Sequence, residues 1–180
     1  MSDLAHAATI LGRGGVIAHA TEGVWGLACD AFDEAAVLRV LALKGRDKSK
    51  GLIVIGADAD AFAPELDLRG QADRDKVIRS WPGHVTWILP NVRFSEYITG
   101  GRDTVAVRVP DHEQARALCA ASKRLLVSTS LNPSGGAAVT TYAAACEQFE
   151  ETVDFVLRGE VVWPGKASQI RTLEGELIRE

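Results

Sequence analysis

The run Leu125-Leu126-Val127-Ser128-Thr129-Ser130-Leu131-Asn132-Pro133-Ser134-Gly135-Gly136 changes character in its middle. Leu125 to Thr129 is apolar and β-branched enough to form a buried strand. From Ser128 onward come hydroxyls, a carboxamide, a proline and glycines, the residues that build turns. A turn needs only two or three of these, whereas this run carries five side-chain hydrogen-bonding groups. A strand leading into such a segment sets those groups at the carboxyl edge of a sheet, where α/β proteins bind ligands. An ordinary Ser/Asn/Pro/Gly turn is the alternative reading.

Outward from this run, helices and strands alternate. Before it, the pattern predicts a helix over 112–122 and strands over 85–89 and 104–109, each strand closed by a proline, Pro90 or Pro110. Helical spacing recurs over 3–13, over 34–43 with Asp33 as N-cap, and over 71–80, which Trp81-Pro82-Gly83 stops. Residues 16–18 and 52–55 read as short buried strands. After the run, 142–149 reads as helix and 153–157 as strand. There is no repeat, low-complexity tract or linker. The expectation is one α/β domain over 1–180, a mixed, twisted, open sheet flanked by helices. Irregular crossovers and the lack of a GxGxxG run exclude a doubly wound dinucleotide fold.

Composition narrows the class further. The 180 residues are 47% hydrophobic and 24% charged, an ordinary globular mix, with a net charge of −4. That balance argues against binding nucleic acid by bulk charge, though a local basic groove stays compatible. Cys29, Cys119 and Cys146 are far apart, so they signal neither a zinc site nor a disulfide framework and fit a reducing cytoplasm. Residues 1–15 hold no long apolar run, so neither a signal peptide nor a membrane span is expected. The four histidines, His6, His19, His84 and His112, form no metal or triad spacing.

Three further segments carry chemistry. Lys44-Gly45-Arg46-Asp47-Lys48-Ser49-Lys50-Gly51 gathers four cations in seven positions between a helix and a strand. It reads either as a solvated turn or as an anion cradle. In the cradle Arg supplies bidentate contacts, Lys supplies point charges and glycine allows close backbone approach. It lacks Walker A spacing. In Thr104-Val105-Ala106-Val107-Arg108-Val109-Pro110, alternation puts Thr104, Ala106 and Arg108 on one face and the valines on the core face. An arginine shielded there needs an anion, either a structural carboxylate or a ligand. Thr21-Glu22-Gly23-Val24-Trp25-Gly26-Leu27 suggests close backbone approach, with Trp25 reading as core.

Taken in order, these segments resemble the YrdC/TsaC-like threonylcarbamoyl-AMP synthases over most of the chain. The matching elements are Thr21 to Gly26; Lys44, Arg46, Lys50, Gly51 and Leu52; Trp81-Pro82-Gly83 with Thr86; Val105 to Pro110; Ser128, Ser130, Asn132, Ser134 and Gly135; and Ser168 to Arg171. The chain departs from the family pattern at Ala20, Gly23, Asp47, His84 and Leu131. Gly23 stands where longer relatives carry a threonine. The length matches the short, single-domain form.

The resemblance implies a YrdC-like fold and a nucleotidyltransferase that joins L-threonine, bicarbonate and ATP, with Mg²⁺ accompanying the ATP. It assigns Lys44, Arg46 and Lys50 to the triphosphate and the leaving pyrophosphate, and Arg108 with Ser128 to the threonine carboxylate. Thr104, Ser130 and Asn132 would contact the nucleotide. Ser168 would close the site, and Thr21 would line it. The product would pass to a separate tRNA threonylcarbamoyl transferase complex, with at most weak tRNA contact and no membrane. Two alternatives stand beside this: a non-catalytic module binding double-stranded RNA or tRNA, and a carbamoyl-adenylate enzyme with another amine, as in hydrogenase-maturation domains.

Overall fold

The computed structural model describes residues 2–133 and 136–179. In chain order the first elements are α1 (Asp3–Leu11), β1 (Ile17–Ala20), β2 (Trp25–Asp30), α2 (Glu34–Lys44) and β3 (Ile53–Ile55). Then come α3 (Ala63–Leu66), α4 (Gln71–Arg79), β4 (Val85–Pro90), α5 (Glu96–Thr99), β5 (Thr104–Arg108), α6 (Glu113–Ser122) and β6 (Leu126–Ser130). The last are α7 (Tyr142–Phe149), β7 (Phe155–Val156), β8 (Gln169–Arg171) and β9 (Leu177–Arg179). Single turns of 3₁₀ helix cover Lys48–Lys50 and Ala59–Phe62.

All nine described strands form one mixed sheet in the order β7-β1-β2-β6-β3-β5-β4-β8-β9. The pairs β1/β7, β3/β5 and β4/β8 are parallel, and the rest are antiparallel. The expected architecture is therefore present. The expected helices appear within a residue or two of their predicted limits, and Asp33 caps α2 by accepting from the Ala36 N–H at 3.1 Å. β2 departs from expectation. All six of its residues are buried, so it has no apolar/polar alternation to signal a strand.

The two faces of the sheet are covered unequally, and this creates the site. On one face, Trp25, Leu27 and Cys29 of β2, Val105 and Val107 of β5, and Val127 of β6 join the larger core with Val37 and Val40 of α2. On the other face, α1 and α6 cover only part of the sheet. Ala7, Leu11, Ala115 and Leu118 pack there over Ile17, Ala28, Ile55 and Leu126. Beyond Leu126 the same face continues as Ser128 and Ser130, and beyond Ile55 it continues across to β5 with Arg108. Neither α1 nor α6 reaches over that half among the described residues.

One sequence expectation is corrected by this arrangement. Ser128 lies inside the strand, as the predicted limits 125–129 have it, but Ser130 is not beyond it at a carboxyl edge: β6 extends to Ser130 because Gly26 of β2 pairs with it. The polar groups lie on the open face of the sheet. In the Ser134-Gly135 part of the motif, both residues fall outside the described residues.

Candidate active site

The uncovered half-face is the floor of a cavity of about 550 Å³, a size suited to a small-molecule ligand. Thr104, Ala106 and Arg108, the face opposite the valines, run across it, as expected. Gly26, Ser128, Thr129 and Ser130 form the adjoining floor. The loop after α2 contributes Arg46, Lys50, Gly51 and Leu52 to one wall. The segment Gly165 to Ser168 crosses another wall, with Arg179 from β9.

Nine of the ten predicted site residues therefore line one cavity: Thr21, Arg46, Lys50, Thr104, Arg108, Ser128, Ser130, Asn132 and Ser168. Lys44 stands behind the wall. It is buried, and its ammonium donates to the Ser130 carbonyl, to the Asn132 carbonyl at 2.6 Å and to the Ser130 hydroxyl at 3.3 Å. Burial pushes its pKa down to about 8, and Arg46 adds to that shift. Its contacts tie the end of α2 to the start of the Asn132 loop.

Local chemistry explains the other positions. Gly45 ends α2 in the left-handed conformation, at φ +55°, and turns the chain so that Arg46 points back toward the sheet. The Arg46 Nε donates to the Gly51 carbonyl at 3.0 Å, and burial lowers its pKa below the usual guanidinium value. Lys50 makes no side-chain hydrogen bond or ion pair among the described residues, so its ammonium is available to a ligand. Asn132 holds its own loop, donating to the Pro133 carbonyl at 3.0 Å and the Gly136 carbonyl at 2.7 Å. The Thr21 hydroxyl closes a turn on the Val24 carbonyl at 2.7 Å. The hydroxyls of Ser168 and Thr86 are 3.0 Å apart.

Arg108 is 5% exposed and has an internal partner, so the arginine that the sequence left needing an anion finds a carboxylate. Glu22, fully buried, lies 3.2 Å from its Nη1 and also accepts from the Asp111 N–H at 2.7 Å. Burial pulls the Arg108 pKa down while Glu22 opposes the shift. The Arg108 Nε is buried with no hydrogen-bond partner among the described residues.

Sequence reasoning missed Arg102, Lys166 and Arg179, which also line the cavity. Arg102 donates to the Thr99 carbonyl at 3.1 Å and the Ser49 carbonyl at 2.7 Å, bracing the cationic loop. Arg179 donates to the Ser168 carbonyl at 3.0 Å, and its pKa is lowered by burial and then by Arg108 and Arg46. No local pattern announces these residues, because only the pairing of β4, β8 and β9 carries residue 179 beside residue 168. With them, six cations and no carboxylate line the cavity among the described residues. Such a pocket concentrates positive potential on an anion.

Comparison with known proteins shows the family. The Sua5/YciO/YrdC family model, described as "Telomere recombination", matches residues 9–180. The chain is 42% identical over 182 residues to a threonylcarbamoyl-AMP synthase of Xanthomonas euvesicatoria, covering 99% of this chain and 97% of that protein. It is 43% identical over 174 residues to the protein of the same name from Stutzerimonas stutzeri, covering 96% and 94%. The crystal structure of P. abyssi Sua5 complexed with L-threonine superposes with a TM-score of 0.91 at 31% identity. That match covers 99% of this chain, which spans 54% of the longer Sua5 protein.

Proposed function

The chain belongs to the Sua5/YciO/YrdC family, and from that premise we propose that it joins L-threonine, bicarbonate and ATP into threonylcarbamoyl-AMP and pyrophosphate. It is a nucleotidyltransferase. The observation that carries this reading is the convergence of six cations on one cavity with no carboxylate in its described lining, which suits a triphosphate together with a small carboxylate.

The reaction needs no covalent nucleophile on the protein. The threonine amine attacks bicarbonate carbon and water is lost, leaving a carbamate. A carbamate oxygen then attacks the α-phosphorus, the bond to the β-phosphate oxygen breaks, and pyrophosphate leaves with its electron pair. Catalysis is therefore positioning and charge stabilisation. Arg46 and Lys50 hold the triphosphate and meet the charge growing on pyrophosphate, with Arg179 across the cavity. Arg108 and Ser128 hold the threonine carboxylate, while Thr104, Ser130 and Asn132 face the nucleotide. Thr21 and Ser168 close the ends. Lys44 acts from behind by holding the Ser130–Asn132 backbone. A Mg²⁺ ion arriving with ATP would neutralise phosphate charge and take its ligands from phosphates and water, since the lining described offers no Asp or Glu.

The product is an activated acyl phosphate, so a separate transferase must pass its threonylcarbamoyl group to tRNA, in the cytoplasm where both substrates occur. No described helix is long and apolar enough to cross a membrane. The RNA-binding alternative gains nothing from the geometry, because the cations turn inward on a cavity. The test is pyrophosphate release from ATP with and without threonine and bicarbonate. Release that requires both is expected, and release indifferent to both refutes the reading.

A further inference from the structure

We propose that His19 is a positioning residue for Ser128, acting from beside the pocket floor across Gly26. His19 of β1 pairs with Gly26 of β2, and Gly26 pairs in turn with Ser130 of β6, two residues from Ser128. The three residues share the open face of the sheet. Because Gly26 has no side chain, the imidazole reaches over it, and its Nε2 stands 3.3 Å from the Ser128 hydroxyl. A Cβ on Gly26 would lie 3.5 Å from each of these atoms and 3.1 Å from the Thr129 carbonyl oxygen, filling the space directly over the bond.

His19 is completely buried, and its Nδ1 has no hydrogen-bond partner among the described residues. For stability alone the position favours an apolar ring, since an unpartnered buried nitrogen costs desolvation. The one side-chain hydrogen bond that the ring makes among the described residues is to a residue lining the cavity, while the Ala20 backbone also faces the ring and opposes the lowering of its pKa. Burial holds the imidazole pKa down to about 3, and His112 and Arg108 add to that effect. The ring is thus neutral at physiological pH and is no proton carrier for the reaction.

An unpaired N–H is a larger loss than an unpaired lone pair. On that ground the proton is assigned to Nε2, which donates to the Ser128 oxygen. The Ser128 hydroxyl then keeps its own hydrogen for an acceptor in the cavity. Resting on the functional reading above, that acceptor is the threonine carboxylate held by Arg108.

The experiment measures threonine and ATP KM for the wild type, His19→Phe, His19→Gln, Ser128→Ala and the His19→Phe/Ser128→Ala pair. His19→Phe is expected to raise threonine KM about fivefold with ATP KM unchanged. His19→Gln, which returns an N–H near the Nε2 position, recovers most of the loss. His19→Phe adds nothing once the Ser128 hydroxyl is gone. A wild-type threonine KM in His19→Phe, or a full additional loss in the double variant, overturns the proposal. Imidazole nitrogen NMR of the wild type gives a readout independent of any His19 variant folding: an Nε2–H tautomer supports it and an Nδ1–H tautomer overturns it. Wild-type pyrophosphate release that ignores threonine defeats the functional reading. Threonine-dependent release with unchanged His19→Phe kinetics defeats only the role of His19.

Discussion

Substituting Gly23 by alanine tests whether the segment 163–168 holds the cavity closed. Gly23 is buried beneath that strap, and a Cβ on it would lie 1.5 Å from the Lys166 carbonyl oxygen, where real Cβ atoms stay beyond 3.0 Å. The strap must therefore retreat by at least another 1.5 Å. Two backbone hydrogen bonds dock its first half now, from the Gly165 N–H to the Gly23 carbonyl at 2.8 Å and from the Trp163 N–H to the Glu22 carbonyl at 2.6 Å, while Ser168 is held separately by Thr86 and Arg179. That retreat takes the first of them out of range and strains the second. At about 1 kcal/mol each, the docked strap loses up to about 2 kcal/mol, or about 30-fold in its closed population. The cavity wall formed by Gly165 to Ala167 moves with the strap. Threonine KM in the pyrophosphate-release assay should rise about tenfold, within that roughly 30-fold ceiling. Hydrogen exchange at the Gly165 and Trp163 amides should quicken. Tm should change little, because Trp163 to Ala167 are exposed and contribute nothing to the core. Unchanged exchange at Gly165 together with unchanged KM would refute the reasoning.

Other consequences are equally direct. Arg46→Ala removes a partly buried charge from the cavity wall, so turnover should fall about 30- to 1,000-fold with little change in Tm; near-normal turnover would remove Arg46 from the site. Arg108→Ala leaves Glu22 charged and buried without its cation, costing about 3–5 kcal/mol. Calorimetry should show Tm lower by about 10 °C, and adding Glu22→Gln should restore much of the stability but not the activity. The folded pKa of His19 is held down to about 3, below the ordinary value of about 6.5 in the unfolded chain. The unfolded state therefore binds the extra proton, and stability present above pH 6.5 is lost as pH falls toward 3. By pH 5 the loss from this group is about 2 kcal/mol. Denaturant unfolding at pH 7 and pH 5 should show His19→Phe losing that much less than the wild type, and equal losses would count against a neutral buried imidazole.

Much of the architecture is legible in the chain because it depends on local periodicity. The α2 helix shows its Asp33 cap and apolar stripe, and β5 shows strict alternation, which places Thr104, Ala106 and Arg108 on one face from the sequence by itself. β2 was not legible, since a strand buried on both sides leaves no alternation. Ser130 reads from sequence as part of the turn after a strand ending at Thr129, because its polarity suits solvent. It belongs to the strand because β2 pairs beside it and a cavity lies above it.

The site divides along the same line. Its residue types and their order along the chain, with cations after α2, an arginine in a valine strand and hydroxyls near Asn132, are properties of the sequence by itself. Three outcomes belong to the tertiary structure alone: Glu22 as the partner of Arg108, Lys44 turned onto backbone carbonyls, and Arg102, Lys166 and Arg179 added to the wall. Each is a contact between segments distant in the chain or a choice among nearby acceptors. Periodicity sets which face a side chain takes, whereas strand order, and the half-face that α1 and α6 leave uncovered, decides what stands across from it.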